Sequence, residues 1–252
     1  MIRWLCFSLV LYGITQARDV SPLLERAEMA YQAGRWNESR STFARAVALA
    51  EEGEVKDWAI QRLGGVNLDL LFSRLPQEEC VRVQVMSGDS LDRIAKRAGT
   101  TVELLRKTNE IQGDTIRLGQ QLKVPILTFR AEVDISANIL DLSFGDRFFK
   151  RYRVSTGAGG NTPVGEFTIV NRIVHPTWWH PETGEKIPYG DPRHHIGSHW
   201  LGWDRKGFGI HGTDEPEKIG EPASLGCVRL RNQDVAELYT LLPVGTQVVV
   251  KP

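Results

Sequence analysis

The spacing of apolar residues changes period along this chain, and that change limits the folds open to it. Up to about residue 75, apolar side chains return every three or four positions, as on one face of a helix. Leu23, Ala27, Ala30 and Tyr31 form one such set, and Phe43, Ala46, Val47 and Ala50 form another. From residue 130 onward the pattern is alternation within short runs that Gly and Pro interrupt. Those runs are 132–136, 151–155, 166–170, 207–211 and 246–250. One helical bundle cannot use the second pattern and one β domain cannot use the first. The chain therefore reads as multidomain, α-helical at its start and mostly β at its end.

The helical region spans residues 19–75. Ser21 is placed to cap the first helix, with Pro22 in the first turn. Gly34 ends that helix, and a second runs to near Gly53. A third extends from about Val55 to Leu75, with a bend expected at Gly64-Gly65. The pair around Gly34-Arg35-Trp36 resembles one tetratricopeptide (TPR) repeat over residues 23–50, without a second clear copy. Such repeats stack to form a surface. Two readings stay open: a small helical spacer, and a TPR-like module that takes a protein partner. Trp36 and Trp58 are expected to pack within this region.

The 252 residues carry 31 Lys plus Arg and 31 Asp plus Glu, with 41% apolar and 25% charged residues, which suits a folded chain. No block of like charge recommends a nucleic-acid partner. Arg3, the apolar stretch 4–14 and Thr15-Gln16-Ala17 read as an export signal over residues 1–17. The apolar run is short of the roughly 20 residues that a spanning helix needs. Export places the remaining chain in a periplasm or cell envelope. Beyond the signal, which contains Cys6, stand Cys80 and Cys227. Two cysteines do not make a disulfide framework. Cys227 is expected free, and Cys80 buried or in a linker, with a reversible disulfide as the alternative.

Residues 81–125 have a more specific order. A short strand, 81–85, leads into Ser87-Gly88-Asp89-Ser90. Leu91, Ile94 and Ala95 mark a short helix, and Thr100 starts another with Glu103 placed for a capping box. Asn109 ends that helix, and a last strand over 121–124 stops at Pro125. With Gly119-Gln120-Gln121-Leu122-Lys123-Val124-Pro125, these landmarks resemble a βααβ LysM domain. The resemblance implies binding to peptidoglycan glycan strands near Ser87–Leu91 and Thr108–Ile111. Gly88, Asp89, Ser90, Asn109 and Ile111 are the candidate contacts.

The third unit, residues 130–252, contains Gly209-Ile210-His211-Gly212-Thr213 and Ser224-Leu225-Gly226-Cys227-Val228-Arg229. A thiolate is the reacting form of cysteine, and an imidazole can generate it and then protonate a departing amine. The main-chain N–H groups of Gly226 and Cys227 are candidate donors to an oxyanion, and Arg229 suits a substrate carboxylate or support of the loop. Taken alone, a cysteine is as often an inert buried thiol. The residues 232–242 form the one good helix of the unit, with Val235, Leu238, Leu241 and Leu242 inward.

This unit resembles the YkuD family, the L,D-transpeptidase catalytic domain. The matching stretches are Val154-Ser155-Thr156-Gly157, Thr162-Pro163-Val164-Gly165-Glu166-Phe167, the two motifs above, and the closing Leu241-x-x-Val244-Gly245-Thr246-x-Val248. The resemblance implies a β-sandwich-like fold, Cys227 as nucleophile, His211 as its base and the Gly212 carbonyl as orienting group. It assigns Ser224, Gly226 and Arg229 to the shaping of the site. It further implies attack on peptidoglycan stem tetrapeptides, loss of D-alanine, a thioester, and transfer to an amine with His211 as the base of that step as well. A second stem peptide as acceptor gives a 3–3 crosslink, a lipoprotein lysine gives wall attachment, and water gives L,D-carboxypeptidase activity. No cofactor is implied. Many members have histidine where this chain has Leu225, which changes the site lining.

Histidines 175, 180, 194, 195 and 199 raise zinc hydrolysis as a second enzyme class, but the chain lacks a His-Glu-x-x-His helix. No metal is assigned, and most of these histidines are expected in loops, with His199 beside the cleft. Trp178, Trp179 and Tyr189 lie in a Pro- and Gly-rich insertion over 175–198. They either wall a peptide cleft or anchor the loop. A glycan-binding protein with a decayed cysteine domain is the non-enzyme alternative.

Overall fold

A computed structural model describes residues 19–181 and 183–252, so the export signal expected over 1–17 lies outside the described residues. The chain divides into two compact units, through Ile60 and from Gln61 onward.

The first unit holds α1 (Ser21–Gln32), α2 (Trp36–Leu49) and the start of α3 (Glu54–Phe72). Ser21 is not the cap of α1. It is the first helical residue, and its N–H donates to the Asp19 carboxylate at 3.0 Å. Gly34 takes φ +72°, which lets its N–H and that of Arg35 return to the carbonyls of Tyr31 and Ala30 and close the helix. Ala27, Ala30, Phe43 and Ala46 are fully buried between the helices. Tyr31 stacks on Trp36, and Trp58 meets Phe43 edge-on. The described residues show this one helix pair and no repeat of it.

In the second unit, β1 (Cys80–Gln84), α4 (Leu91–Ala98), α5 (Val102–Thr108) and β2 (Gln121–Pro125) form the expected βααβ module, with β1 and β2 antiparallel in register Val83 to Leu122. The Ser90 hydroxyl caps α4 by accepting from the N–H of Arg93 at 3.2 Å, and Gly99 at φ +63° ends it. Thr101, not Thr100, caps α5, accepting from Leu104 N at 2.9 Å. That shift takes Glu103 out of a capping box, and it pairs instead with Arg172 at 3.1 Å. Val85, Leu91, Ile94, Leu105, Leu122 and Val124 make the module's own core.

The mostly β domain contributes β3 (Phe129–Asp134), β4 (Ile139–Phe144), β5 (Arg147–Arg153), β6 (Gly165–Val174), β7 (Trp178–Trp179), β8 (Lys186–Ile187), β9 (His199–Trp203), β10 (Gly209–His211), β11 (Val228–Arg229), α6 (Asn232–Leu241) and β12 (Gln247–Lys251). Eight strands join in the order β11-β10-β9-β6-β12-β3-β4-β5, while β7 and β8 form a separate hairpin. Where a sandwich was expected, one continuous sheet curls until its edges meet. Ser155, just past β5, exchanges two 2.9 Å main-chain hydrogen bonds with Arg229 of β11. That closure leaves little exposed edge near β11 and fixes the strand that follows Cys227.

The core under the curl is formed by Val133, Leu140, Leu142, Ile169, Leu201 and Ile210, closed by Val235, Leu238 and Leu241 of α6 as the periodicity predicts. Leu68 and Leu71 of α3 and Leu104 of α5 enter the same core. The βααβ module and the β domain therefore share a hydrophobic contact. Gly64-Gly65 does not interrupt α3, which is one helix over both residues. A Cβ on Gly64 would lie 2.9 Å from the Lys150 side chain, so this glycine serves close packing of α3 on β5. The Lys123 ammonium caps the end of α3, donating to the carbonyls of Ser73 at 2.7 Å and Leu71 at 3.1 Å.

Candidate active site

The pairing of β10 with β11 is the arrangement that assembles the site. The two strands run parallel, with Ile210 opposite Val228 and His211 opposite Arg229. Ile210 and Val228 are fully buried in the core. By two-residue alternation, His211, Arg229 and Cys227 face the other side of the sheet. All three line a cleft of about 470 Å³ there, together with Ser224, Trp178 and Trp179. Residues far apart in sequence are thus brought together by strand register.

The turn that presents Cys227 is held from within. The Ser224 hydroxyl donates to the Cys227 carbonyl at 2.6 Å and accepts from the N–H of Gly226 at 3.0 Å. Ser224 N donates in turn to the Thr156 carbonyl, and Ala158 N to the Ser224 carbonyl, both at 2.9 Å. Gly226 has φ +143°, and a Cβ on it would stand 3.0 Å from the Phe208 ring and 3.1 Å from the Asn161 carbonyl. Only glycine fits that path without strain. The Gly226 N–H is consumed inside the turn, which corrects its expected place as an oxyanion donor.

His211 is buried, and its Nδ1 lies 2.6 Å from the Gly212 carbonyl oxygen. A carbonyl can only accept, so the Nδ1 position carries the hydrogen and Nε2 keeps its lone pair. Trp200 stacks on the ring at 5.8 Å. Burial lowers the imidazole pKa to about 4; the Gly212 carbonyl opposes this, and the Arg229 charge adds to it. Cys227 moves the other way. Burial raises its thiol to about 11, against the weaker pull of the Gly209 main-chain amide and of Arg229. The resting sulfur donates to the Gly207 carbonyl at 3.5 Å. Burial thus favours the uncharged form of both groups, a thiol and a neutral imidazole, in the cleft they share.

Arg229 binds Glu215 through Nη1 at 3.3 Å, and its buried Nε has no partner among the described residues. Its guanidinium is held at the cleft with donor capacity left over. Trp178 and Trp179 do line the cleft. Tyr189 does not belong to that lining; it stacks on His175 at 4.1 Å and anchors the insertion. His199 likewise packs on Tyr239, outside the lining.

Asn232, the first residue of α6, had no motif to mark it. Its side chain accepts from Ser198 N at 3.0 Å and donates to the Thr213 carbonyl at 2.9 Å. It thereby clamps the segment that follows His211. A Cβ on Gly212 would be 2.1 Å from the Asn232 oxygen, so glycine is required beside the histidine. In the βααβ module, Asp89 accepts from Met86 N at 2.9 Å and pairs with Arg97 at 2.9 Å. Asn109 bonds the Lys123 N–H at 2.7 Å and the Lys123 and Leu105 carbonyls at 2.8 Å. These two expected sugar contacts are committed to the fold. Gly88 and Ser90 are exposed, and Ile111 is half-buried.

A curled β domain whose cysteine and histidine share one cleft, joined to a βααβ module, defines a class of two-module proteins with a cysteine-bearing catalytic domain. The L,D-transpeptidase catalytic domain model matches residues 128–250, and the LysM domain model matches residues 83–125. A protein of Bacillus licheniformis described as "Putative L,D-transpeptidase YkuD" is 34% identical over 177 residues, covering 67% of this chain and 98% of that protein. One of the same description from Bacillus subtilis is 33% identical over 174 residues, covering 66% and 96%. "Probable L,D-transpeptidase YcfS" of Escherichia coli is 28% identical over 232 residues, covering 82% of this chain and 70% of that protein. The chain belongs to the YkuD-type L,D-transpeptidase family and carries a LysM domain.

Proposed function

We propose that this chain is an exported L,D-transpeptidase that uses Cys227 as nucleophile and His211 as its proton carrier. The observation that supports the assignment is the shared cleft of Cys227 and His211, with the imidazole tautomer set by the Gly212 carbonyl. The substrate is a peptidoglycan stem tetrapeptide. As sulfur approaches the carbonyl of the third residue, the thiol hydrogen turns from the Gly207 carbonyl to His211 Nε2. Transfer during attack avoids a free thiolate and imidazolium in a site that disfavours both charges. The Cys227 N–H is the proposed main-chain donor to the oxyanion. His211 then gives its proton to the amine of D-alanine, which leaves a thioester.

An amine acceptor resolves the thioester. The side-chain amine of a second stem peptide gives a 3–3 crosslink, a lipoprotein lysine gives attachment, and water gives carboxypeptidase activity. Arg229, with an unpaired donor, binds a stem carboxylate, and Trp179 forms part of the peptide wall. In this reading the LysM domain holds the enzyme on glycan strands in the periplasm or cell envelope. The 1–17 segment is the export signal, and the helix pair of the first unit is either a spacer or a site for a protein partner.

The test is incubation with diaminopimelate-containing tetrapeptide muropeptides, analysed by mass spectrometry with Cys227→Ala as control. Cys227-dependent loss of D-alanine with dimer formation is expected. Tripeptide without dimer would replace transpeptidation by carboxypeptidation. Equal, negligible turnover by both proteins would favour a glycan-binding role.

A further inference from the structure

A carboxylate–imidazole pair stands on the rim of the same cleft. His195 Nδ1 lies 2.6 Å from Asp214 Oδ2. The two residues come from different segments, His195 from the aromatic insertion and Asp214 from the stretch just past Gly212-Thr213. His195 lines the cleft with Cys227, yet 46% of its side chain is exposed to solvent. Trp178 lies edge-on to its ring at 5.1 Å and limits its rotation. Asp214 is acceptor-only when ionised, so the Nδ1 position carries the hydrogen, and in the neutral ring Nε2 is the position with the lone pair. In their neutral forms His211 and His195 thus share one tautomer, fixed by a carbonyl in one case and by a carboxylate in the other. One ring is buried beside the sulfur and the other is wet at the rim.

The two halves of acyl transfer make different demands. The first protonates a departing amine inside the cleft, where His211 stands. The second needs a base that meets an incoming amine as it enters from solvent and takes a proton while its nitrogen attacks. His211 is buried, whereas His195 opens to solvent from the same cleft and is steadied by a carboxylate, so it can meet the amine as it enters.

We propose that His195, positioned by Asp214, is the acceptor-side base of the reaction, and that its partner is a primary amine. This rests on the Cys227 thioester of the preceding section. The amine nitrogen bonds to the thioester carbonyl carbon while one of its protons passes to His195 Nε2. The carbon–sulfur bond breaks and its electron pair leaves on Cys227. The proton then returns from His195 to sulfur through water, so that both imidazoles end neutral. His195 is the catalytic residue in this step, and Asp214 is a positioning residue.

The test uses the full chain and a tetrapeptide donor, with His195→Gln and Asp214→Asn. Intact-mass kinetics follow acylation of Cys227, and product analysis follows partition of the thioester between water, an alkylamine and hydroxylamine. Hydroxylamine is a nucleophile already unprotonated at neutral pH and has little need of a base. The expected result is near-normal acylation in both variants, alkylamine transfer reduced on the order of 100-fold in His195→Gln, a smaller loss in Asp214→Asn, and hydroxylamine transfer retained. Unchanged alkylamine transfer in His195→Gln would overturn the proposal, as would equal loss of acylation and both transfers, which marks a structural role. A wild-type protein that never acylates Cys227 would remove the thioester reading itself, and that outcome is visible before any acceptor is added.

Discussion

The ring of His211 is tied to the carbonyl of its own successor, Gly212, by a 2.6 Å hydrogen bond, and this bond decides which nitrogen is free. A backbone carbonyl does the orienting that a third side chain performs in other nucleophilic sites. It adds no charge, so burial dominates and the imidazole stays neutral, with its pKa near 4. The Cys227 sulfur lines the same cleft, and burial likewise favours its uncharged form, with the thiol pushed up to about 11. Activation is thus deferred until substrate arrives.

The first consequence concerns alkylation. The thiolate is the reacting form. Iodoacetamide labelling of Cys227 in the resting protein should accelerate tenfold per pH step to about 11, beyond the 9 of an ordinary thiol. Peptide mapping separates it from Cys80. A plateau at pH 7 would mean a preformed ion pair and contradict the burial argument.

Acid stability gives a second consequence. His211 has a folded pKa of about 4 against 6.5 when unfolded, so the unfolded chain takes up the proton first as pH falls. The stability due to the neutral buried ring is complete above 6.5 and is lost as pH falls through the folded value. The gap corresponds to about 3 kcal/mol. Denaturant titrations between pH 7 and 4 should show this limb, and His211→Gln should flatten it. An unaltered limb in the variant would assign the acid sensitivity elsewhere.

Gly226→Ala should fail for steric reasons rather than chemical ones. The added Cβ meets the Phe208 ring and the Asn161 carbonyl at φ +143°. A loss of roughly 1–3 kcal/mol is expected for the strained backbone, with acylation reduced more than thermal stability. A variant with wild-type turnover would show that the turn can relax.

Asn232→Ala removes two hydrogen bonds that hold the Ser198 and Thr213 backbones. About 1–3 kcal/mol of stability should be lost, read as a lower Tm. Acylation of Cys227 should slow as well, because the clamp fixes the segment carrying Gly212. Slowed acylation without any fall in Tm would make its role local to the site.

Much of this architecture was legible in the sequence, and most of the parts that were not depend on long-range contact; β4, with Leu140 and Leu142 inward, is an exception. Apolar alternation identified β3, β5, β6, β10 and β12, and helical spacing identified α6 with its inward residues. Two-residue strands such as β11 are too short to alternate, yet the pairing of β11 with β10 is what brings Cys227 to His211. The closing of the sheet through Ser155 and Arg229 is a long-range event with no local signature. The cysteine and histidine were visible as motifs, whereas Asn232 and the His195–Asp214 pair act only through tertiary contact. The sequence points to Thr100 as the cap of α5, and the chain uses its neighbour Thr101. Gly64-Gly65 resembled a bend because glycine serves both bends and close packing.

The most direct test of the central claim is the mass of the intact protein, quenched during turnover of a stem tetrapeptide without acceptor. An adduct equal to the tetrapeptide fragment minus D-alanine is expected, located on Cys227 by peptide mapping and absent from Cys227→Ala. D-alanine release that persists in Cys227→Ala, or an adduct located on another residue, would contradict it.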